Sequence, residues 1–225
     1  MKFLAVSTST HRYQSTGIHT GMWLGEYTHF YDVMEKAGHQ VDLASIAGGS
    51  VPIDPVSLQG PYLLMGGTNK RYEDATFMEQ LDSTPALADV TLDDYDGIYL
   101  IGGHGTMFDF DDESLKAALA HFTESGKIVS AVCHGPNGLL DVPLSDGTRL
   151  LDGKRVTGYT WAEEKLARRS NEVPFSLEER LTEQAGEFSK ARVPMTKHVV
   201  VDGKLVTGQN PTSAAGVAEA ILENF

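Results

Sequence analysis

The 225-residue sequence predicts an α/β fold, a mostly parallel sheet with helices on both faces. Short apolar runs rich in β-branched residues, such as Asp96–Ile101 and Lys127–Val132, alternate with stretches whose apolar residues recur at helical spacing. These two runs also end in turn residues: Gly102-Gly103-His104-Gly105 after the first, Cys133-His134-Gly135-Pro136 after the second. In open parallel sheets the site lies beyond the carboxyl ends of the strands. Both turns sit at such ends, so they point to one crevice.

In chain order, residues 2–8 read as a first buried strand, and the polar segment Ser9–Gly21, with His11 and His19, as a loop after it. A helix is expected from about Trp23 to Ala37, with Trp23, Tyr27, Phe30, Met34 and Ala37 as its apolar stripe and Gly38 as its stop. Val41–Ala44 is a second strand. Residues 45–92 lack regular periodicity and read as an insertion over one sheet edge, placed to roof a site. After the Asp96–Ile101 strand, Asp111 or Asp112 caps a helix carrying Leu115, Ala118, Leu119 and Phe122, closed by Gly126. Beyond Cys133 come a turn over 140–146, a short strand at Val156-Thr157, and a helical stretch opened by Glu163-Glu164. Residues 171–190 read as a capped helix, and His198–Thr207 as a hairpin turning at Asp202-Gly203. A last helix follows Asn210-Pro211 and carries Val217, Ala220 and Ile221.

The chemistry centres on Cys133. A cysteine on a sharp strand-to-helix turn is the geometry of a nucleophile elbow, and amide dipoles at a helix start favour thiolate over thiol. The adjacent His134 and following Gly135 favour a reactive thiol over a structural one. The Gly102–Gly105 loop fails as a dinucleotide fingerprint, because Phe108 stands where glycine or alanine is needed. It suits an oxyanion-hole loop, where glycine lets a backbone N–H approach a substrate oxygen. Glu26 falls on the edge of its helix's apolar face, where spacing alone reads as a glutamate reaching solvent. Glu26 and His29 have metal-pair spacing, but no third ligand follows at a sensible interval. Either Glu163 or Glu164 is placed to accept a hydrogen bond from a histidine.

Composition bounds the rest. Hydrophobic residues make up 41% and the formal charge is −13, which fits a globular protein and argues against nucleic acid or an anionic membrane as partner. No run approaches membrane-spanning length, and the N-terminus lacks a signal pattern. A single cysteine leaves no internal disulfide and fits a reducing cytoplasm.

Taken together the segments resemble the ThiJ/PfpI superfamily, relatives of the class I glutamine amidotransferases, and within it the glyoxalase III/heat-shock chaperone branch. The matching pieces run in order along nearly the whole chain: Gly25-Glu26, Val51-Pro-Ile-Asp-Pro55, Gly102-Gly-His-Gly-Thr-Met107, Ala131-Val-Cys-His-Gly-Pro136, Val156-Thr-Gly-Tyr-Thr160 with Glu163-Glu164, Val173-Pro-Phe175 and Val206-Thr-Gly-Gln-Asn-Pro211. The resemblance implies a flavodoxin-like three-layer sandwich, a single domain over 1–225 with the insertion at about 45–92. It implies Cys133 as nucleophile, His134 as its histidine and Glu26 as a protonated acid on the sulfur. The third triad acid falls best on Glu164, with Glu163 the near alternative, and the oxyanion donors on the Gly103 and His134 N–H groups. It implies a cofactor-independent, metal-free, D-lactate dehydratase-like glyoxalase acting on a small carbonyl substrate, and a homodimer. It also allows a cysteine-dependent amidase or hydratase acting on another small molecule, a holding chaperone or a thiol stress sensor. Trp161 departs from the family pattern, which often has Asp or Asn there, and its ring is expected to narrow or reshape the pocket.

Overall fold

The computed structural model describes residues 1–225. Five parallel strands form the centre of the molecule: β1 (Lys2–Ser7), β2 (Gln40–Ser45), β3 (Gly97–Leu100), β4 (Ile128–Val132) and β6 (Leu205–Gly208). A sixth, β5 (Val199–Asp202), joins the edge antiparallel through the expected hairpin, giving the order β2-β1-β3-β4-β6-β5. Gly203 takes the positive φ (57°) that this turn requires. Strands β3 and β4 are buried at every position, as their continuous apolar character demands.

Helices cover both faces. Helix α1 (Leu24–Lys36) buries Tyr27, Phe30 and Met34, and ends before Gly38 at φ 81°. Trp23 is only half-buried and Ala37 is exposed, so the apolar stripe is shorter than the spacing predicts. Phe30 stacks on Tyr99 of β3 with ring centroids 3.7 Å apart, which fixes α1 against the sheet. Helix α2 (Glu113–Glu124) is capped by Asp112, whose carboxylate accepts from the Ser114 and Leu115 N–H groups. It buries the four expected residues Leu115, Ala118, Leu119 and Phe122.

Residues 46–92 hold short helices at Gly60–Leu64, Thr68–Glu73 and Ala75–Glu79. They pack on α1, where Phe77 sits between Tyr27 and Tyr31, and on the carboxyl end of edge strand β2, where Ser45 bridges to Ala86. Further on, α3 (Trp161–Leu166) carries a capping box between Thr160 and Glu163. Helix α4 (Leu177–Gln184), capped by Ser176, is shorter than the expected 171–190: residues 171–175 run as turns and bends into its cap, and Glu187–Phe188 pair parallel with the short strand Arg155–Val156. Helix α5 (Ala214–Asn224) buries Val217 and Ile221. No helix is long and apolar enough to cross a membrane.

Candidate active site

The elbow forms where β4 ends. Cys133 has φ 59°, a left-handed conformation that is costly for a residue with a Cβ, by roughly 1–3 kcal/mol. The turn is held on several sides. Cys133 N–H donates to Gly208 O (2.9 Å), Tyr159 N–H donates to Cys133 O (2.8 Å), and Thr106 Oγ1 donates to His134 O (3.2 Å). Pro136 follows in a 3₁₀ turn of five residues, Gly135–Leu139, so the helix expected after the elbow is a short 3₁₀ one.

Beside the sulfur lies Glu26, fully buried in the first turn of α1. The solvent-reaching reading of its spacing is therefore corrected: residues 46–92 and the Gly102 loop cover that side of α1. Gly102 N–H donates to Glu26 Oε2 (2.8 Å), and Tyr99 Oη donates to the Glu26 backbone carbonyl (2.9 Å). Gly102 itself has no room for a side chain, since a Cβ there would stand 2.4 Å from Glu26 Oε2 and 2.6 Å from Val132 O. Glu26 lies against Cys133, and its Oε1 is sealed from solvent without a hydrogen-bond partner.

Burial pushes the Glu26 carboxyl up to about 8, against the pull of Cys133 and the Gly102 N–H. Burial, and then the adjacent Glu26, also push the Cys133 thiol well above its ordinary range. The helix-start dipoles expected to favour a thiolate are small here, because the turn after Cys133 is a short 3₁₀ one, and burial works against charge on the sulfur.

His134 and Glu164 complete the line. His134 Nδ1 is 3.4 Å from Cys133 Sγ, and its Nε2 donates to Glu164 Oε2 (2.8 Å). Glu163, one residue earlier, is turned away. Its carboxylate accepts from Thr160, Met195 N–H, Gln209 and Asn210, tying α3 to the loop before β5 and to the segment after β6. One position along a helix rotates a side chain by about 100°, which spacing could not assign to a face without knowing where the histidine stood.

Glu164 has a second partner that sequence reasoning missed. His104 Nε2 donates to its other oxygen, Oε1 (2.7 Å), and the two imidazole rings lie 4.2 Å apart. Burial disfavours the Glu164 charge, but His134 and His104 outweigh it and hold the carboxyl well below its usual range. Burial lowers the His134 pKa, with His104 adding to the effect, so its ring is neutral near pH 7 with Nδ1 as the acceptor facing sulfur. The only signal for His104 was its place in the Gly102–Gly105 turn, where the glycines accounted for the motif by themselves. His104, His134 and Glu164 bring possible metal-ligand atoms within 4.8 Å of one another. The short imidazole–carboxylate bonds satisfy those atoms without an ion.

The sulfur faces a cavity lined by Gly103, His104, Cys133, His134, Tyr159, Tyr13, Asp54, Met195 and Arg169. Trp23 and Tyr62, edge to face with centroids 5.0 Å apart, form one wall, so residues 46–92 contribute directly to the site. Gly103 has φ 113°, and a Cβ there would strike Gly21 O. Neither the Gly103 nor the His134 N–H finds an acceptor within the protein. Trp161 is not on this cavity. Its backbone N–H donates to Glu178 Oε2 and its ring lies on an outer groove beside Lys165, so the expected narrowing of the pocket does not occur.

A mostly parallel α/β sheet with a cysteine elbow and a His–Glu couple at its strand ends is the class of protein that this fold and site define. Within that class the chain belongs to the DJ-1/PfpI family, whose pattern matches residues 18–224. It is 29% identical to Glyoxalase 3 of Candida albicans over 99% of this chain and 97% of that protein. The glutathione-independent glyoxalase HSP31 of Saccharomyces cerevisiae is also 29% identical, over 96% and 93%. Among solved structures, the Francisella tularensis Rapid Encystment Protein 24 KDa superposes with a TM-score of 0.92 at 33% identity, covering 99% and 97%. The Candida albicans glyoxalase III structure superposes at 0.87 with 28% identity, covering 100% and 97%.

Proposed function

We propose that this protein is a glutathione-independent glyoxalase that converts methylglyoxal and water to lactate without a cofactor. One observation carries the reading: Cys133 and His134 line one cavity, with Glu26 buried beside the cysteine and Glu164 behind the histidine, in a chain similar over nearly its full length to glyoxalases. Cys133 Sγ adds to the aldehyde carbon as His134 Nδ1 takes the thiol proton and passes it to the new C1 oxygen, giving a hemithioacetal. Loss of the proton on C1 gives an enediol, and reprotonation at C2 leaves a lactoyl thioester. Water cleaves the thioester and returns the thiol.

Each step puts negative charge on an oxygen. The free N–H groups of Gly103 and His134 are the donors proposed for it, and losing one such donor costs about 3–4 kcal/mol. Glu26 keeps its proton near pH 7 and donates to the sulfur as charge develops there. Were it ionised, it would oppose that charge at contact distance.

The test is lactate formation from methylglyoxal without glutathione, wild type beside Cys133→Ala. Wild-type turnover with a silent variant is expected. A variant as active as wild type removes the nucleophile, and conversion of amides or isocyanides but not glyoxals moves the assignment to an amidase or hydratase.

A further inference from the structure

Glu164 serves two histidines, and only one of them faces the sulfur. His134 Nδ1 is engaged with Cys133 Sγ at 3.4 Å. His104 donates through Nε2 to Glu164 Oε1 at 2.7 Å, so in the neutral ring its Nδ1 carries a free lone pair. That Nδ1 makes no hydrogen bond within the protein, and it is not among the sealed polar atoms that lack a partner. His104 lines the same cavity as Cys133, and Tyr13 and Tyr159 pack around its ring at 5.6 and 6.2 Å. A buried imidazole with one nitrogen fixed on a carboxylate and the other open to the reacting space is built as a general base.

We infer that His104 is the catalytic base that carries the proton from C1 to C2, while His134 handles the proton of the thiol. The inference rests on the glyoxalase reading above. After Cys133 has added, His104 Nδ1 takes the C1 hydrogen as a proton, and the electron pair of that bond forms the C1=C2 double bond of the enediol. The former C2 carbonyl oxygen gains a proton, relayed from the C1 hydroxyl as C1 becomes the thioester carbonyl. His104 returns its proton to C2. Nothing is oxidised or reduced overall, and no further reactant is needed. The division of labour has a physical reason. Near the elbow, His134 Nδ1 faces the sulfur at 3.4 Å and handles its proton, and Glu26 already holds a proton behind Gly102, whereas His104 Nδ1 has no partner in the protein.

The discriminating variant is His104→Gln, because a glutamine amide nitrogen can stand where Nε2 stands and keep the bond to Glu164 while removing the base. Loss of a positioned base predicts a kcat at least ~100-fold lower. Alkylation of Cys133 by iodoacetamide should stay within about threefold of wild type, and C1-deuterated methylglyoxal should show a larger primary isotope effect than in wild type. His104→Ala, made alongside, should regain turnover with added imidazole, which a merely structural role would not produce. A folded His104→Gln enzyme with near wild-type kcat overturns the inference, and leaves the glyoxalase reading standing if wild type makes lactate. Alkylation slowed in parallel with kcat, with no imidazole rescue, also overturns it, by making His104 only a support for Glu164. Failure of wild type to make lactate removes both proposals together.

Discussion

At the scale of single residues, the site depends on a proton held where water cannot reach. Burial disfavours the Glu26 charge and pushes its carboxyl up to about 8 from an ordinary 4.5. The folded state therefore binds this proton more tightly than the unfolded chain does. Its contribution to stability is full below about pH 4.5, and it is lost as pH rises through about 8. Glu164 has the opposite sign: its stabilising charge is present above the unfolded value and is lost as pH falls through its depressed folded value. Glu26→Gln, an isostere that stays neutral, should flatten the loss of stability between about pH 4.5 and 8, as measured by urea unfolding. It should also cut turnover at least ~10-fold, since an amide is a poorer donor to a developing thiolate than a carboxylic acid. An unchanged slope in the variant would mean that Glu26 is not the group titrating. None of this is visible in spacing, which put Glu26 on the edge of a helix face and left it reaching solvent.

At the scale of elements, neighbouring glutamates on α3 do different work. Glu163 collects hydrogen bonds from Thr160, Met195, Gln209 and Asn210, whereas Glu164 bonds only the two histidines. Glu163→Ala leaves several buried donors unpaired and should lower stability by about 2–4 kcal/mol. Glu164→Gln should cost less stability but more activity, because it frees both imidazoles to turn. Melting temperature and kcat measured on the two variants should rank them in opposite orders. The β3 turn offers a second test. Gly102→Ala forces a Cβ onto Glu26 and Val132 O, both fixed by packing, so it should destabilise by about 1–3 kcal/mol and strongly reduce activity. A Gly102→Ala enzyme with normal melting and turnover would show that the loop has slack that this packing denies. The strands and the longer helices were readable because their apolar residues kept period; the elbow's 3₁₀ turn was not, since Gly-Pro opens either kind of helix.

On the scale of the whole molecule, the sheet brings distant segments to one end. β3 ends in the Gly102 loop, β4 in the elbow, and α1 enters beside them because Trp23 N–H bonds Gly102 O (3.1 Å). Residues 46–92 then supply the wall with Tyr62 against Trp23. Tyr62 is half-buried, so Tyr62→Ala should change stability by no more than about 1 kcal/mol. It should widen the cavity and raise kcat/KM for phenylglyoxal relative to methylglyoxal. A constant ratio would place substrate selection elsewhere on the cavity wall.

The sequence by itself determined the α/β class, the order of its main strands and longer helices, and the cysteine on its turn, because these follow from local periodicity and turn chemistry. It also narrowed the acid to a pair of neighbouring glutamates. Only the tertiary structure decided which of the two meets His134, that Glu26 is sealed, that Trp161 stays off the cavity and that His104 shares the carboxylate. Each of those depends on burial and on contacts between residues far apart in the chain. Desolvation and long-range hydrogen bonds come into being only when the sheet and its covering segments close together.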